Sequence, residues 1–187
     1  MDQRGLVERA AKGDHDAFAL LAPVVLPRLS GIAQLILRDP ELARDAVQET
    51  LIRAWRDLPG LRDPDRFDAW LYRLGVRISL NLIRRRRHRP IEIEIKALDV
   101  PSVEDETGPI ADRELIDEAL RLLPPDWRAV IVLHFYVGLS LPETARALGL
   151  PLGTAKSRLH RSLTTMRTSI GLEEPTIPTH VHKGQIA

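Results

Sequence analysis

Apolar residues recur every three or four positions along most of the chain, which is the period of an amphipathic helix. The clearest stripe lies between Pro40 and Leu58, where small and apolar side chains follow the spacing i, i+3, i+4, i+7 and i+8. The stripe consists of Ala43, Ala46, Val47, Thr50, Leu51, Ala54, Trp55 and Leu58. This segment is predicted to be a helix with one buried face.

Glycine and proline divide the first 89 residues into one short helix and three longer ones. The breaks fall at Gly13, at residues 39–40 and across residues 59–64. The last helix is predicted to run from about Asp65 to Arg87. Within the second helix, Pro23 and Pro27 lack the N–H group that a helix needs, and they predict a kink or a break.

Residues 112–170 show the helical period again and predict four further helices. Ser140 and Glu143 have the spacing of a capping box, in which each side chain accepts a hydrogen bond from the other residue's backbone N–H. Gly149 ends a short helix because glycine tolerates a positive φ, and Pro151 opens the next one. Two helices joined by a short break that contains glycine predict a helix-turn-helix unit.

The helical period is absent from two further segments. Residues 90–111 are acidic and interrupted by proline and glycine, which indicates a linker, and residues 171–187 are predicted to be a disordered tail. Residues 91–95 alternate like a strand but have no partner strand, so we interpret them as an extended tether. The sequence therefore predicts an all-α protein of two small helical domains, residues 1–89 and 112–170, joined by an acidic flexible linker.

Charge is balanced overall but strongly divided along the chain. The 27 Lys and Arg against 26 Asp and Glu give a net charge of +1, which alone argues against a nucleic-acid partner. However, residues 72–89 carry seven arginines and no acid, and residues 144–172 carry five bases and no acid. Residues 92–118 between them hold ten acids and two bases, a charge of −8. Two basic surfaces joined by an acidic connector indicate nucleic-acid binding.

Composition excludes several classes of protein. The 187 residues include no cysteine, so a disulfide framework, a thiolate zinc site and a cysteine nucleophile are all excluded. The N-terminus lacks the basic and apolar regions of a signal peptide, and no run of 18 apolar residues occurs. We therefore expect a cytoplasmic protein without membrane insertion.

The face of the Pro40–Leu58 helix opposite its apolar stripe carries a candidate contact patch. It consists of Asp45, Gln48, Glu49, Ile52 and Arg56, again at helical spacing. A solvated face explains the charges alone. Ile52 among these polar groups favours a surface that a partner buries.

The following helix combines aromatic residues with arginines. Arg73, Arg77, Asn81, Arg84 and Arg85 gather on one side of it. Aromatic rings can stack on unpaired bases while guanidinium groups hold phosphates, so this helix suits single-stranded nucleic acid. The alternative is that Phe67, Trp70 and Tyr72 pack in the core, and we expect this for two of the three.

The second helix of the helix-turn-helix unit is a candidate recognition helix. Its first half carries Thr154, Lys156, Ser157, Arg158, His160 and Arg161, residue types that bind base edges and phosphates. The alternative is a solvated basic face on an ordinary helical bundle. Gly153 costs helix propensity, and close approach of the backbone to DNA or to a neighbouring helix would explain it.

Catalytic and metal sites have little support in the sequence. Ser157 and His160 lie one helical turn apart, but no nearby acid could orient the imidazole. His180 and His182 lack a third ligand for a metal. We expect no catalytic residues, no metal and no cofactor.

Three sequence blocks follow one another along the chain. They are Asp45–Trp55 (DAVQETLIRAW), Phe67–Arg73 (FDAWLYR) and Leu148–Arg161 (LGLPLGTAKSRLHR). In this order and across an acidic linker, they resemble bacterial RNA polymerase sigma factors of the sigma-70 family, extracytoplasmic-function (ECF) group. The resemblance implies that residues 1–89 are sigma region 2, that residues 112–170 are sigma region 4, and that the chain directs promoter-specific transcription initiation.

The resemblance also implies roles for individual residues. Asp45, Gln48 and Glu49, with Ile52 and Arg56 beside them, would bind core RNA polymerase. Melted −10 promoter DNA would be bound by Arg62, Arg66, Trp70, Arg73, Arg77, Asn81, Arg84 and Arg85. The −35 duplex would be read by Thr154, Lys156, Ser157, Arg158, His160 and Arg161. An anti-sigma factor is a usual further partner in this group.

A stand-alone helix-turn-helix repressor or activator is the alternative function. It predicts tight binding to free duplex DNA, whereas a sigma factor binds weakly until core polymerase is added. The acidic linker also suggests that residues 90–111 fold against the basic faces and discourage DNA binding outside the holoenzyme.

Overall fold

The computed structural model describes residues 2–87 and 110–171, and these residues form helices and turns without any strand. In the N-terminal half the helices are α1 (Gln3–Ala10), α2 (His15–Leu37), α3 (Pro40–Asp57) and α4 (Phe67–Arg87), with 3-10 turns at Leu58–Gly60 and Pro64–Arg66 before α4. In the C-terminal half they are α5 (Ile110–Arg121), α6 (Pro125–Ile131), a π-helical turn (Val132–Tyr136), α7 (Leu141–Leu148) and α8 (Leu152–Ser169). The all-α prediction is confirmed. The expectations for residues 91–95 and the tail lie outside the described residues.

Aspartate side chains fix where the N-terminal helices begin. The Asp14 carboxylate accepts a hydrogen bond from the Ala17 N–H at 3.0 Å, and the Asp39 carboxylate accepts from the N–H groups of Glu41 and Leu42 at 3.1 Å. These N–H groups have no partner inside the helix, so a side-chain cap satisfies them. Pro40 follows Asp39 at the first helical position, where a missing N–H costs nothing.

Helix α2 is continuous through both of its prolines, so the predicted break is wrong. Pro23 and Pro27 are exposed, and the carbonyl groups that lose their helical donors belong to Ala19 and to Pro23 itself, which are also exposed. Water can satisfy these carbonyls. The opposite face of the helix is buried, and its packing keeps the helix intact despite the two missing hydrogen bonds.

By length and composition α2 could cross a membrane, and it is the one described helix that could. Nine of its residues are buried, including Leu21, Leu29 and Ile36, and it packs against α1, α3 and α4. An all-round apolar helix is expected at the centre of a helical core. Core packing accounts for the apolar residues of its buried face, whereas Leu20, Val24 and Leu26 of the same helix are exposed.

The predicted stripe of α3 faces this core. Ala43, Ala46, Val47, Thr50, Ala54 and Leu58 are buried, and Leu51 and Trp55 are half-buried. The Thr50 hydroxyl donates to the Ala46 carbonyl at 2.6 Å, so its burial leaves no polar group unsatisfied. Small residues let α3 lie close to α2 and α4.

The two halves of the chain also pack against each other. Ala129, Val132, Leu133 and Leu139 from the C-terminal half belong to the same buried cluster as the core of α1–α4. A second, smaller cluster of Leu120, Leu123 and Ile131 packs with Trp127, Leu159, Leu163 and Met166, and with Leu35 of α2. This contact between the halves was not predicted from the sequence.

Gly75 of α4 lies close to Leu29 of α2 and Thr50 of α3. A Cβ atom at this position would lie 2.7 Å from Leu29 Cδ1 and 3.7 Å from the Thr50 side chain. Real Cβ contacts are longer than 3.0 Å, and Leu29 is itself buried. Glycine is therefore required by packing here, not by backbone conformation.

We expect Gly75→Ala to lower the free energy of unfolding by about 1–3 kcal/mol, because overpacking forces α2 and α4 apart. Gly5→Ala is the matched control: Gly5 lies in α1 with no atom within 4 Å of the added methyl group. The control should gain up to about 1 kcal/mol from helix propensity. Urea unfolding followed by circular dichroism measures both, and equal stabilisation of the two variants would contradict this account.

Candidate functional site

A groove between α3 and α4 contains most of the predicted contact patch. Asp45, Gln48, Glu49 and Ile52 line it from α3 together with Arg53, and Ile78, Asn81, Leu82 and Arg85 line it from α4. Its volume is about 300 Å³. Ile52 is 57% exposed at its edge, which is unusual for a large apolar side chain surrounded by charges. Arg56 does not line the groove and pairs with Asp57 at 2.9 Å.

Charges of both signs surround this groove. Arg53 Nε donates to Glu49 Oε1 at 2.6 Å, which positions Glu49 along the α3 wall. Asp45 and Arg85 form no ion pair within the described residues. An apolar centre with a polar rim is the usual anatomy of a protein–protein contact.

The predicted single-strand surface lies along α4 and the turn before it. Arg62, Arg66, Arg77, Asn81, Arg84 and Arg85 are exposed, and Trp70 and Arg73 are half-exposed. Phe67 and Tyr72 are buried, so core packing of two of the three aromatic residues is confirmed. Trp70 is half-exposed: it packs against the core, with its ring centroid 6.1 Å from that of Phe67.

Asn81 and Arg85 belong to the predicted −10 set on α4 and also to the groove between α3 and α4. Asn81 and Arg85 line the groove with the contact patch, while Asn81 Oδ1 also accepts from Arg84 Nη1 at 3.3 Å. Arg84 lies 3.8 Å from Asp126 of α6, and the neighbouring Arg86 pairs with Asp39 at 2.7 Å. The basic block of α4 is therefore partly neutralised within the chain.

The helix-turn-helix unit has the predicted capping box. Ser140 N–H donates to Glu143 Oε2 at 3.0 Å, and Glu143 N–H donates to Ser140 Oγ at 3.4 Å. The hydrogen bonds from Ser140, with smaller contributions from Arg146 and Arg66, hold the pKa of Glu143 below its usual value. Gly149 ends α7 in the left-handed region with φ of 65°, as predicted.

The first half of α8 presents the predicted recognition residues. Lys156, Ser157, His160 and Arg161 are exposed, and Thr154 and Arg158 are half-exposed. Ser157 Oγ donates to the Gly153 carbonyl at 2.7 Å, so the hydroxyl is bonded within its own helix. No atom lies within 4 Å of a Cβ placed on Gly153. A close neighbouring helix therefore does not explain this glycine, and close approach of DNA remains the prediction.

The described residues contain no cluster of three His, Cys, Asp or Glu that could hold a metal. His180 and His182 lie outside them. The Ser157 hydroxyl bonds to Gly153 and not to His160, which argues against a catalytic pair.

Sequence reasoning missed the polar contacts between the two halves. Arg38 donates to both carboxylate oxygens of Asp117, and Arg28 lies between the rings of Tyr72 and Tyr136. These pairs are separated by 44 to 108 residues, so no local spacing reveals them. One signal was available: Arg28 is the single Lys or Arg of the largely apolar helix α2.

A helix-turn-helix unit on an all-α fold, beside basic surfaces on α4 and α8, is typical of a helical DNA-binding protein. Residues 24–89 match the family model of sigma-70 region 2, and residues 113–166 match that of sigma-70 region 4. The chain belongs to the sigma-70 family, in its group of ECF sigma factors. It is therefore a sigma factor that directs promoter-specific transcription by RNA polymerase, and the stand-alone repressor is not favoured.

Relatives and solved structures support this assignment over most of the chain. The RNA polymerase sigma-H factor of Pseudomonas aeruginosa is 30% identical over 170 residues, covering 84% of this chain and 88% of the relative. The RNA polymerase sigma-E factor of Streptomyces avermitilis is 36% identical over 138 residues, covering 74% of this chain and 76% of the relative. The ECF RNA polymerase sigma-E factor of Escherichia coli K12 is 30% identical over 170 residues, covering 84% of this chain and 88% of the relative.

Two solved structures share the fold. The sigma factor RpoE of Bartonella quintana, in complex with the anti-sigma factor NepR, has a TM-score of 0.67 and 25% identity, covering 84% of this chain and 98% of that one. CnrH, in complex with the cytosolic domain of CnrY, has a TM-score of 0.62 and 27% identity. The match covers 92% of this chain and 99% of CnrH.

We expect Ser140→Ala to lower the free energy of unfolding by about 1 kcal/mol, because the N-cap of α7 loses its side-chain acceptor. Ser169→Ala is the matched control, since Ser169 lies exposed at the end of α8 and bonds only to the Met166 carbonyl. The control should change stability by less than about 0.5 kcal/mol. Thermal or urea unfolding distinguishes the two, and an unaffected Ser140→Ala variant would show that the capping box contributes nothing.

Proposed function

We propose that three surfaces of the described residues divide the work of this sigma factor. The groove between α3 and α4 binds core RNA polymerase, α4 with the preceding turn binds the melted −10 strand, and α8 reads the −35 duplex. In this scheme residues 1–89 act as region 2 and residues 112–170 as region 4. The main support for the proposal is the groove. It contains the exposed Ile52 and charges of both signs, and it lies beside the basic, aromatic helix α4.

Polymerase binding rests on the chemistry of the groove. Ile52 lies exposed in the free protein, and burying such a side chain is worth about 1.5–3 kcal/mol. Asp45, Gln48 and Glu49 on the α3 wall supply acceptors for cationic and polar groups of the partner. Asn81 and Arg85 complete the opposite wall, so we assign them to polymerase binding as well as to the −10 surface.

Binding of the −10 strand rests on α4 and the turn that precedes it. Stacking of one base on an aromatic ring is worth about 1–3 kcal/mol, which offsets the few kcal/mol that unstacking costs. Trp70 supplies an accessible ring. Arg62, Arg66, Arg73, Arg77 and Arg84 supply cations for the phosphates around it.

Reading of the −35 duplex rests on α8. The N-terminal residues of a recognition helix reach base edges in the major groove, and α8 begins at Leu152 next to an open Gly153. Lys156 and Arg161 are exposed and form no ion pair within the described residues. They are therefore available for phosphates or guanine edges.

The chain acts through binding alone in this proposal, without catalytic residues, metal or cofactor. ECF sigma factors are soluble transcription factors, and we infer a cytoplasmic location without membrane insertion. An anti-sigma factor is a further partner, by extension from the complex of RpoE with NepR.

We expect Glu49→Lys to abolish binding to core RNA polymerase, because a cation replaces an anion in the groove and repels Arg53. Glu41→Lys is the matched control, since Glu41 lies exposed in the first turn of the same helix and outside the groove. Co-purification with core polymerase measures binding, and circular dichroism verifies that helicity is retained. Normal core binding and transcription by Glu49→Lys would refute the assignment of the groove.

We expect Arg161→Ala to weaken binding of the holoenzyme to −35 duplex DNA and to lower the slope of log K against log salt by about one. The reason is that one phosphate contact, and the counterion it releases, is lost. Arg167→Ala is the control, because Arg167 lies exposed in the last turn of α8, away from the recognition residues. An unchanged slope for Arg161→Ala would remove Arg161 from the phosphate contacts.

A further inference from the structure

The turn that precedes α4 is in contact with helix α1. Leu6, Val7 and Ala10 of α1 are buried in the core, where α1 packs on α2, and the same helix also packs on the turn Pro64–Arg66. The buried face fixes the position of α1 in the fold. The first residues of α1 therefore reach partners that lie 61 and 65 residues later in the chain.

Two side chains of α1 bind carboxylates on either side of Arg66. Arg4 Nη1 donates to Asp65 Oδ2 at 2.7 Å, and Gln3 Nε2 donates to Asp68 Oδ1, also at 2.7 Å. Asp65 belongs to the turn, and Asp68 lies in the first turn of α4. The two contacts therefore join α1 to the turn and to the start of the helix that follows it.

Arg4 is held at a second point by its own helix. Its Nε donates to Glu8 Oε1 at 3.0 Å, one helical turn further along α1, while Nη1 donates to Asp65. A planar guanidinium that is bonded at two points has a fixed direction. Arg4 thus determines where the Asp65 carboxylate lies with respect to α1.

The other hydrogen bonds of this turn, within the described residues, are local. Asp63 accepts from the Asp65 N–H at 3.1 Å, and Arg66 Nε lies 3.4 Å from Asp63 Oδ2. Leu58 and Phe67 are buried before and after the turn, whereas residues 62, 63, 65 and 66 are exposed. The contacts from α1 add a long-range anchor to an exposed segment.

The segment proposed to bind the −10 strand is acidic by itself. Residues 61–68 hold two arginines, Arg62 and Arg66, and three aspartates, Asp63, Asp65 and Asp68. Free carboxylates beside these arginines would repel the phosphates of a DNA strand. Arg4 supplies a positive charge that balances Asp65, and the Gln3 amide occupies one oxygen of Asp68.

Fold stability does not account for these contacts. The side chains of Arg4 and Asp65 are 52% and 61% exposed, and exposed ion pairs contribute little to folding. The buried face of α1 already attaches this helix to the core. The contacts instead determine the direction of two carboxylates next to Arg66.

We propose that Gln3 and Arg4 are positioning residues for the −10 strand. They hold the carboxylates of Asp65 and Asp68 toward α1, so that the arginines of the turn are left to the phosphates. Helix α1 is then a third part of the −10 site, beside α4 and the turn before it. This inference rests on the proposed −10 surface, and it extends that surface to residues that do not contact the strand.

The probe for this role is a fluorescein-labelled single strand that carries the −10 element of a promoter selected with the parent holoenzyme from a random DNA library. We expect Arg4→Gln in the holoenzyme to weaken binding of this strand about twofold to fivefold, the range that corresponds to the loss of one exposed ion pair. Binding to −35 duplex DNA should not change. Arg44→Gln is the matched control, since Arg44 is an exposed arginine that pairs with Glu41 within α3. If Arg4→Gln weakens strand binding no more than Arg44→Gln does, the proposal is wrong.

Salt dependence separates positioning from direct contact. Removing a residue that binds a phosphate of single-stranded DNA lowers the slope of log K against log salt by about 0.7. We expect this decrease for Arg66→Gln and an unchanged slope for Arg4→Gln. A lowered slope for Arg4→Gln would make Arg4 a phosphate contact and overturn its role as a positioning residue.

Two further variants remove the effect of net charge. Gln3→Ala loses the contact with Asp68 at constant charge, and it should also weaken strand binding without a change in slope. Arg4→Asp combined with Asp65→Arg exchanges the two charges and should restore the binding of the parent. Arg4→Asp combined with Glu41→Arg has the same net charge without the pair and is the control. If the exchanged pair binds the strand no more tightly than this control, the proposal is overturned.

Arg66→Gln also tests the proposed function separately. If it leaves strand binding unchanged, the proposed −10 surface fails, and the role of α1 fails with it. If Arg66→Gln weakens binding while Gln3→Ala and Arg4→Gln do not, the −10 surface stands and only the role of α1 is overturned. Circular dichroism of each variant verifies that the helices are retained.

Discussion

The structure depends on covering the buried face of helix α2, which contributes nine buried residues to the core. Helices α1, α3 and α4 cover most of it, and Gly75 lets Leu29 sit against α4. Leu35 remains at the edge of this core and contacts the second cluster of buried residues. The C-terminal half adds to this cover, although Leu20, Val24 and Leu26 stay exposed. The packing of one apolar helix therefore brings together two parts of the chain that are separated by the acidic segment.

The same packing determines which side chains are left for function. Burial of Phe67 and Tyr72 orients α4 so that Arg77, Arg84 and Arg85 are exposed, while Trp70 is half-buried against the core. Burial of the small residues of α3 turns Ile52 and Glu49 toward the groove. The proposed polymerase and −10 surfaces are therefore adjacent faces of two helices with a common core, and Asn81 and Arg85 lie at the boundary between them.

Local features of this fold were predictable because they depend on neighbours in the sequence. The stripe of α3, the capping box at Ser140 and the left-handed Gly149 follow from spacing and residue type alone. The effect of Pro23 was not predictable, since it depends on which face of α2 the other helices cover. Contacts such as Arg38 with Asp117 depend on long-range packing that no periodicity encodes.

Contacts between the two halves of the chain pair acids of the C-terminal half with arginines of the N-terminal half. Asp117 belongs to the acidic stretch between the two basic blocks, yet it lies in α5 and binds Arg38 of the N-terminal half. Asp126 does the same for Arg84 at the edge of the −10 surface. Acids of helices α5 and α6 thus lie within ion-pair distance of cations of the other half. A near-zero net charge is compatible with DNA binding because cations are concentrated locally: residues 72–89 carry seven arginines and no acid.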